Sequence, residues 1–262
     1  MPGPEADLTL LSSALREAGG LALRYWRHKP KFHEKPGGAG PVSEADLAVN
    51  DLLLARLRAA RPDYGWLSEE TADTSDRLER ETCFIVDPID GTRSFLQGED
   101  TFAIVAGICT RGRMTAGAVL LPALDRLYTA HIDRPAMLNE TPIRAALRAD
   151  PNGSTMLTAT PNLAPGLWPG GVPDVRRAFR PSLAYRLCLV AEGRHDSMIS
   201  LRPTWEWDIA AASLIVERAG GTATDGQGQP LRFNAPHPQV AAGILAAGPA
   251  LHPALMALRL PS

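Results

Sequence analysis

Cysteine is scarce. The 262 residues hold three, Cys83, Cys109 and Cys188, each inside an apolar run and none in a CxxC or Cys/His ligand spacing. That excludes a thiolate zinc site and a disulfide framework, and reads as buried thiols in a reducing compartment. An excess of one charge sign is also missing. A net charge of −2 gives no polybasic field for a nucleic-acid polymer or an anionic membrane, although a local basic pocket stays open. No run approaches about 18 uninterrupted apolar residues. The opening MPGPEADLTLLSSALREAGG is acidic early and puts no basic stretch ahead of an apolar one, so the chain is expected in the cytoplasm. The six histidines form no HExxH, and neither a G-x-S-x-G elbow nor a P-loop occurs.

What is present is an ordinary globular composition, 45% hydrophobic and 21% charged, long enough for one large domain or two smaller ones. Apolar spacing predicts a helix from about Glu5 to His28, with Gly19-Gly20 loosening it, and a second from Ser43 to Arg61-Pro62. The Lys35–Pro41 segment between them has the composition of a loop. Its lysine either reaches an anion in a cleft or is simply solvated. Cys83–Val86 reads as a buried strand emptying into Asp87-Pro88-Ile89-Asp90-Gly91-Thr92. Runs at Thr101–Thr110, Met114–Leu121 and Asp125–His131, joined by tight turns, predict an antiparallel meander. The pattern weakens over Arg134–Arg148, which places a boundary between an N-terminal α+β part, 1–135, and a C-terminal α/β part, 136–262. Beyond lie a strand-like Ser154–Thr160, a Pro/Gly-rich loop over Pro161–Pro173, and a helix from Ser182 to Glu192. A last helix opens at Trp207-Asp208 and is closed by Gly220-Gly221.

Four acids stand at element ends: Glu69 before a loop, Asp87 and Asp90 after a strand, Asp208 at a helix start. If they meet, their repulsion calls for a cation, and an all-oxygen donor set favours Mg2+, Mn2+ or Ca2+ over Zn2+. Each acid also has a plainer reading. Asp208 suits a helix cap, Asp87 and Asp90 an Asp-Pro turn, Glu69-Glu70 a solvated pair, and Asp46 the S-x-x-D cap of its helix. An EF-hand is disfavoured by Ile89 and Gly91 at ligand positions.

The strings SEETAD, CFIVDPIDGTRSF and WDIAAASLIVERAGG, in that order, resemble the inositol monophosphatase superfamily over most of the chain. The resemblance implies a layered αβαβα sandwich, an α/β (α+β) fold of the inositol monophosphatase and fructose-1,6-bisphosphatase type. It implies a Mg2+-dependent phosphate monoester hydrolase using two or three ions, with Mn2+ able to substitute and Ca2+ or Li+ inhibitory. By resemblance the metal ligands are Glu69, Asp87, the Ile89 carbonyl, Asp90 and Asp208. Water attacks the phosphate in line with no covalent nucleophile, Thr92 orienting it with support from Asp46, and Glu69 counts among the catalytic group. The amides of Gly91 and Thr92 match the phosphate cradle, with Asp90 and Asp208 beside the substrate. Ser68 stands where the family often has glycine. A homodimer acting on a small phosphorylated metabolite is the expected assembly.

The substrate is less legible. Arg202-Pro203-Thr204-Trp205-Glu206-Trp207-Asp208 resembles the GPT-x-EWD box of the 3′(2′),5′-bisphosphate nucleotidases. The carboxylate that inositol-selective members place near Leu201 is missing, and their Gly-Thr/Ser-Ala run is altered at Pro181-Ser182-Leu183. The reading therefore leans to a 3′(2′),5′-bisphosphate nucleotide such as 3′-phosphoadenosine 5′-phosphate. Inositol 1-phosphate is the alternative, then histidinol phosphate or fructose bisphosphate, or a non-catalytic metal- or phosphate-binding module. Ser182 and Arg186 are candidate substrate contacts, with core packing or a helix surface as the plainer account of both.

Overall fold

The computed structural model describes residues 4–38 and 40–260; Ala39, inside the loop expected over Lys35–Pro41, lies outside them, as do 1–3 and 261–262. The chain begins with α1 (Pro4–Tyr25), a short hairpin of β1 (Phe32–Glu34) and β2 (Pro41–Ser43), and α2 (Glu44–Ala60). Then come β3 (Gly65–Ser68), β4 (Thr82–Asp90), the one-turn α3 (Thr92–Leu96), β5 (Ala103–Thr110), β6 (Arg113–Leu121), β7 (Arg126–His131), β8 (Arg134–Leu138) and β9 (Thr141–Pro142). These strands form a seven-stranded sheet in the order β3-β4-β5-β6-β7-β8-β9, antiparallel throughout except for the parallel β3/β4 edge.

The second half supplies β10 (Thr155–Leu157), β11 (Arg176–Ala178), α4 (Leu183–Ala191), β12 (Ser197–Ser200), β13 (Thr204–Trp205), α5 (Glu206–Arg218), β14 (Thr222–Asp225), β15 (Gln239–Val240), β16 (Ile244–Ala247) and α6 (Leu251–Arg259). Here a five-stranded sheet runs β11-β10-β12-β16-β14, with β13 and β15 paired apart.

Period-two alternation sorts the large sheet's side chains. Phe84, Val86, Ile104, Ala106 and Ile108 pack with Leu11, Leu15, Leu53 and Leu57 of α1 and α2, while Cys83, Ile85, Val105 and Cys109 pack with α4 and α5 on the other face. The central helices also cover the second sheet, whose outer face is closed by Leu251 and Leu255 of α6 with Trp168. The layers are therefore helix, sheet, helix, sheet, helix, the αβαβα sandwich expected. The three cysteines are free and buried, Cys83 and Cys109 facing each other across β4 and β5.

Four local expectations change. Gly19-Gly20 does not loosen α1: a Cβ on Gly19 would lie 2.6 Å from Leu120, so glycine lets the helix seat closely on the sheet. The helix ends at Tyr25, where Arg27 and Lys29 turn to positive φ. The expected strand over Ser154–Thr160 shortens to β10, because Thr160–Leu163 winds into a 3-10 turn. The meander continues through β8 and β9, so a boundary after 135 falls inside a strand. No helix among the described residues is long and apolar enough to cross a membrane.

Candidate metal centre and active site

The DPIDGT segment does not follow a strand. Its first four residues are the end of one, since β4 runs to Asp90. In a regular strand residues 87 and 90 would face opposite sides. Proline 88 has no amide to give, and the β4/β5 register slips by one residue between Asp87 and Asp90. Asp87 continues the face of Cys83 and Ile85, whereas Ile89, beyond the bulge, packs with Phe84 and Val86. Asp90 is thereby returned to the side of Asp87, facing α4 and α5. Gly91 then turns the chain at φ 94°, a conformation that favours glycine, and releases it into α3.

From the opposite side α5 brings Asp208 in its first turn, and the parallel strand β3 delivers Glu69 just past its end. Carboxylate oxygens of Glu69, Asp87 and Asp208 lie within 4.8 Å of one another. Asp87 Oδ1 is buried without a hydrogen-bond partner among the described residues. Burial, then the repulsion of neighbouring acids, holds Asp87 and Asp208 far above the usual carboxylate range. Lys35 Nζ meets Glu69 Oε1 at 2.8 Å and Glu70 Oε1 at 2.6 Å, so the loop lysine does reach into the cleft. Arg186 and Arg202 of the same cleft pull on Asp90 and Asp208, but no cationic side chain comes within ion-pair reach of Asp87 or Asp208 among the described residues. The orphaned oxygen, the hard all-oxygen donor set and the uncompensated charge fit a divalent cation of the Mg2+ class.

Asp90 is held differently. Ser182 Oγ donates to its Oδ2 at 2.6 Å and the Ala184 amide at 2.7 Å, hydrogen bonds that counter the upward push of burial on its pKa. Ser182 is fully buried, caps α4 through the Tyr185 amide, and orients Asp90 instead of lining the cleft. Thr92 Oγ1 lies 3.1 Å from both Asp46 Oδ1 and the Ile89 carbonyl. Asp46 itself accepts the Ser43 amide at 2.9 Å and the Ser43 hydroxyl at 2.5 Å, completing the cap that its S-x-x-D spacing predicts. Burial raises the Asp46 pKa against those hydrogen bonds.

The resulting cleft has a volume of about 1030 Å³. Its floor is Glu69, Asp87, Ile89, Asp90, Gly91, Thr92 and Asp208. The far wall carries Phe179, Leu183, Arg186, Arg202, Trp205 and Trp207. Trp205 and Trp207 stack at 4.8 Å with planes 9° apart. Sequence reasoning gave Glu70 only the reading of a solvated pair with Glu69, whereas burial pushes it to about 7, and it used Arg202 and Trp205 only as part of a substrate box without naming either as a site residue, whereas the fold puts both on the cleft wall. For Glu70 the one signal was its adjacency to Glu69.

A model of the inositol monophosphatase family matches residues 5–260. An inositol-1-monophosphatase of Rhizobium meliloti is 36% identical over 204 residues, 73% of this chain and 74% of that protein. A histidinol-phosphatase of Chlorobaculum parvum is 30% identical over 231 residues, 85% of this chain and 87% of its own. Among solved structures, the extragenic suppressor protein suhB of Bartonella henselae superimposes with a TM-score of 0.83 at 27% identity, covering 98% of this chain and 99% of that one.

Proposed function

The chain belongs to the inositol monophosphatase family of phosphate monoester hydrolases, and from that premise we propose that its cleft hydrolyses a bisphosphate nucleotide with Mg2+. The observation that carries the hydrolytic reading is the convergence of Glu69, Asp87 and Asp208 beside the Thr92–Asp46 pair. Two or three Mg2+ ions held by Glu69, Asp87, the Ile89 carbonyl, Asp90 and Asp208 would neutralise phosphoryl oxygens and make water acidic enough to react near neutral pH.

The chain's own groups supply the rest. Thr92 Oγ1, donating to Asp46, keeps a lone pair for the attacking water, and Asp46 is the acceptor behind it for the proton. The amides of Gly91 and Thr92 offer donors to the phosphoryl oxygens. Ser182 and the Ala184 amide fix Asp90, so that its carboxylate need not reorganise as charge develops.

The far wall supports the substrate choice. A polyol such as inositol needs acceptors for its hydroxyls, yet Leu201 stands where inositol-selective relatives place a carboxylate. Phe179 and Trp205 instead offer flat aromatic surface suited to a base. Inositol 1-phosphate is the second reading, favoured by the name of the 36% identical relative. Phosphate release from 3′-phosphoadenosine 5′-phosphate, inositol 1-phosphate and histidinol phosphate, compared with Mg2+ present, decides among them. Asp90→Asn should keep the fold and lose about 100-fold or more in turnover. Full activity in that variant rejects the metal-centred reading. We extend the proposal to a cytoplasmic homodimer, which light scattering of the purified protein tests for assembly.

A further inference from the structure

The cleft contains cationic groups that its acids do not use. Arg186 projects from α4 and is only 6% exposed. Its Nε donates to the Arg180 carbonyl, its Nη2 lies 3.3 Å from the Pro181 carbonyl, and its guanidinium stacks over Phe179 at 4.2 Å. The group is held in one orientation, and Nη1 makes no hydrogen bond among the described residues. Arg202, from the turn between β12 and β13, is exposed, and its side chain makes no hydrogen bond there either.

Neither arginine forms an ion pair among the described residues, although Arg61, Arg77 and Arg126 elsewhere are each paired with a carboxylate. The two also feel each other. Burial pushes Arg186 down to about 10, and after the opposing pull of Asp90 comes the repulsion of Arg202. A guanidinium that is buried and clamped with no ion pair is costly to keep charged unless an anion meets it, and Arg202 on the same wall adds a second donor fork. Asp90 and Asp208 lie near enough to be felt but outside ion-pair reach, and they belong to the acid cluster on the floor. The planar forks match phosphate oxygens in geometry, and donors already fixed in place lose little freedom on binding.

We propose that Arg186 and Arg202 form a seat for a second phosphate of the substrate, separate from the ester that is cleaved at the acid cluster. The seat rests on reading the floor as the site of the first phosphate. It makes the substrate a bisphosphate, with Trp205 flanking the body that joins the two groups.

The test uses probes that cannot turn over: propane-1,3- to hexane-1,6-bisphosphonates, each against the alkylphosphonate of equal carbon length. Binding is read by calorimetry on the full chain with Mg2+. At least one bisphosphonate should bind about tenfold or more tightly than its partner, and Arg202→Gln and Arg186→Met should each shrink that ratio below about threefold. No preference along the series, or a preference that survives both substitutions, overturns the seat. Should Arg186→Met fail to fold by circular dichroism, Arg202→Gln, at an exposed position, decides alone. A preference in a chain that releases phosphate from no nucleotide keeps the seat and rejects the nucleotidase reading. Rapid release from a bisphosphate nucleotide with no binding preference does the reverse.

Discussion

Asp46 uses its two oxygens for two purposes. Oδ2 takes the Ser43 amide and hydroxyl and closes the start of α2, while Oδ1 accepts Thr92 Oγ1 and so connects that helix to the cleft. The two roles separate by substitution. Ser43→Ala should cost about 1 kcal/mol of stability, the usual worth of an N-cap, with turnover little changed. Thr92→Val should lower turnover by about 100-fold or more, the scale of a lost proton-transfer partner, with little change in melting. Asp46→Ala should show both losses at once. A Thr92→Val enzyme with full turnover removes Thr92 from the proton path. At this scale the sequence was informative, because a cap obeys a three-residue spacing that can be seen without a fold. Glu70 was not legible: nothing local distinguishes a solvated glutamate from one that receives Lys35 at 2.6 Å.

The elements show where legibility stops. Amphipathic helices and the alternating strands of the meander announce themselves by period, and α1, α2, β5, β6 and β7 lie close to where spacing puts them. The bulge in β4 does not, because Pro88 looks like a turn until β5 pairs beside it. Strands β8 and β9 are short, and their residues alternate only weakly. Helix α5 carries a further device at its start. Glu206, 1% exposed, accepts the Asn234 amide at 2.6 Å and the Ala235 amide at 3.0 Å, pinning the loop before β15 to the start of α5. Burial pushes Glu206 up to about 7 from 4.5, against those hydrogen bonds. The shift is upward, so the stability this group contributes is complete below about 4.5 and is lost as the pH rises through about 7. Glu206→Gln is close in shape to the protonated acid, each offering one carbonyl acceptor, and it bears no charge at any pH. The urea midpoints of wild type and variant should therefore lie close together in acid and part as the pH rises through about 7, the wild type falling below the variant as it takes on a buried charge. A gap that is constant with pH rejects this account.

Across the whole molecule, the acid cluster joins the large sheet to α5, so the charge that suits it to a cation also strains the layers that hold it. Glu69 and Asp87 come from the N-terminal half and Asp208 from the other, within 4.8 Å of one another. Without a cation their repulsion acts against closure of the sandwich, and a cation bound only by the folded chain must stabilise it by mass action. At a hundredfold excess of Mg2+ over its dissociation constant that gain is about 2.7 kcal/mol. For a chain of this size it should raise the melting midpoint by about 5–10 °C over the protein stripped with EDTA. Asp87→Asn separates attraction from repulsion. Removing a carboxyl that must either stay charged in the interior or take up a proton at a cost, and whose Oδ1 has no hydrogen-bond partner among the described residues, should raise the midpoint of the stripped protein and reduce the Mg2+ shift to about 2 °C or less. Scanning fluorimetry of both proteins with and without Mg2+ reads all four states. A wild type indifferent to Mg2+ would mean that these acids are tolerated for some reason other than a cation. An Asp87→Asn protein that melts lower when stripped would mean that its carboxylate supports the fold instead of straining it.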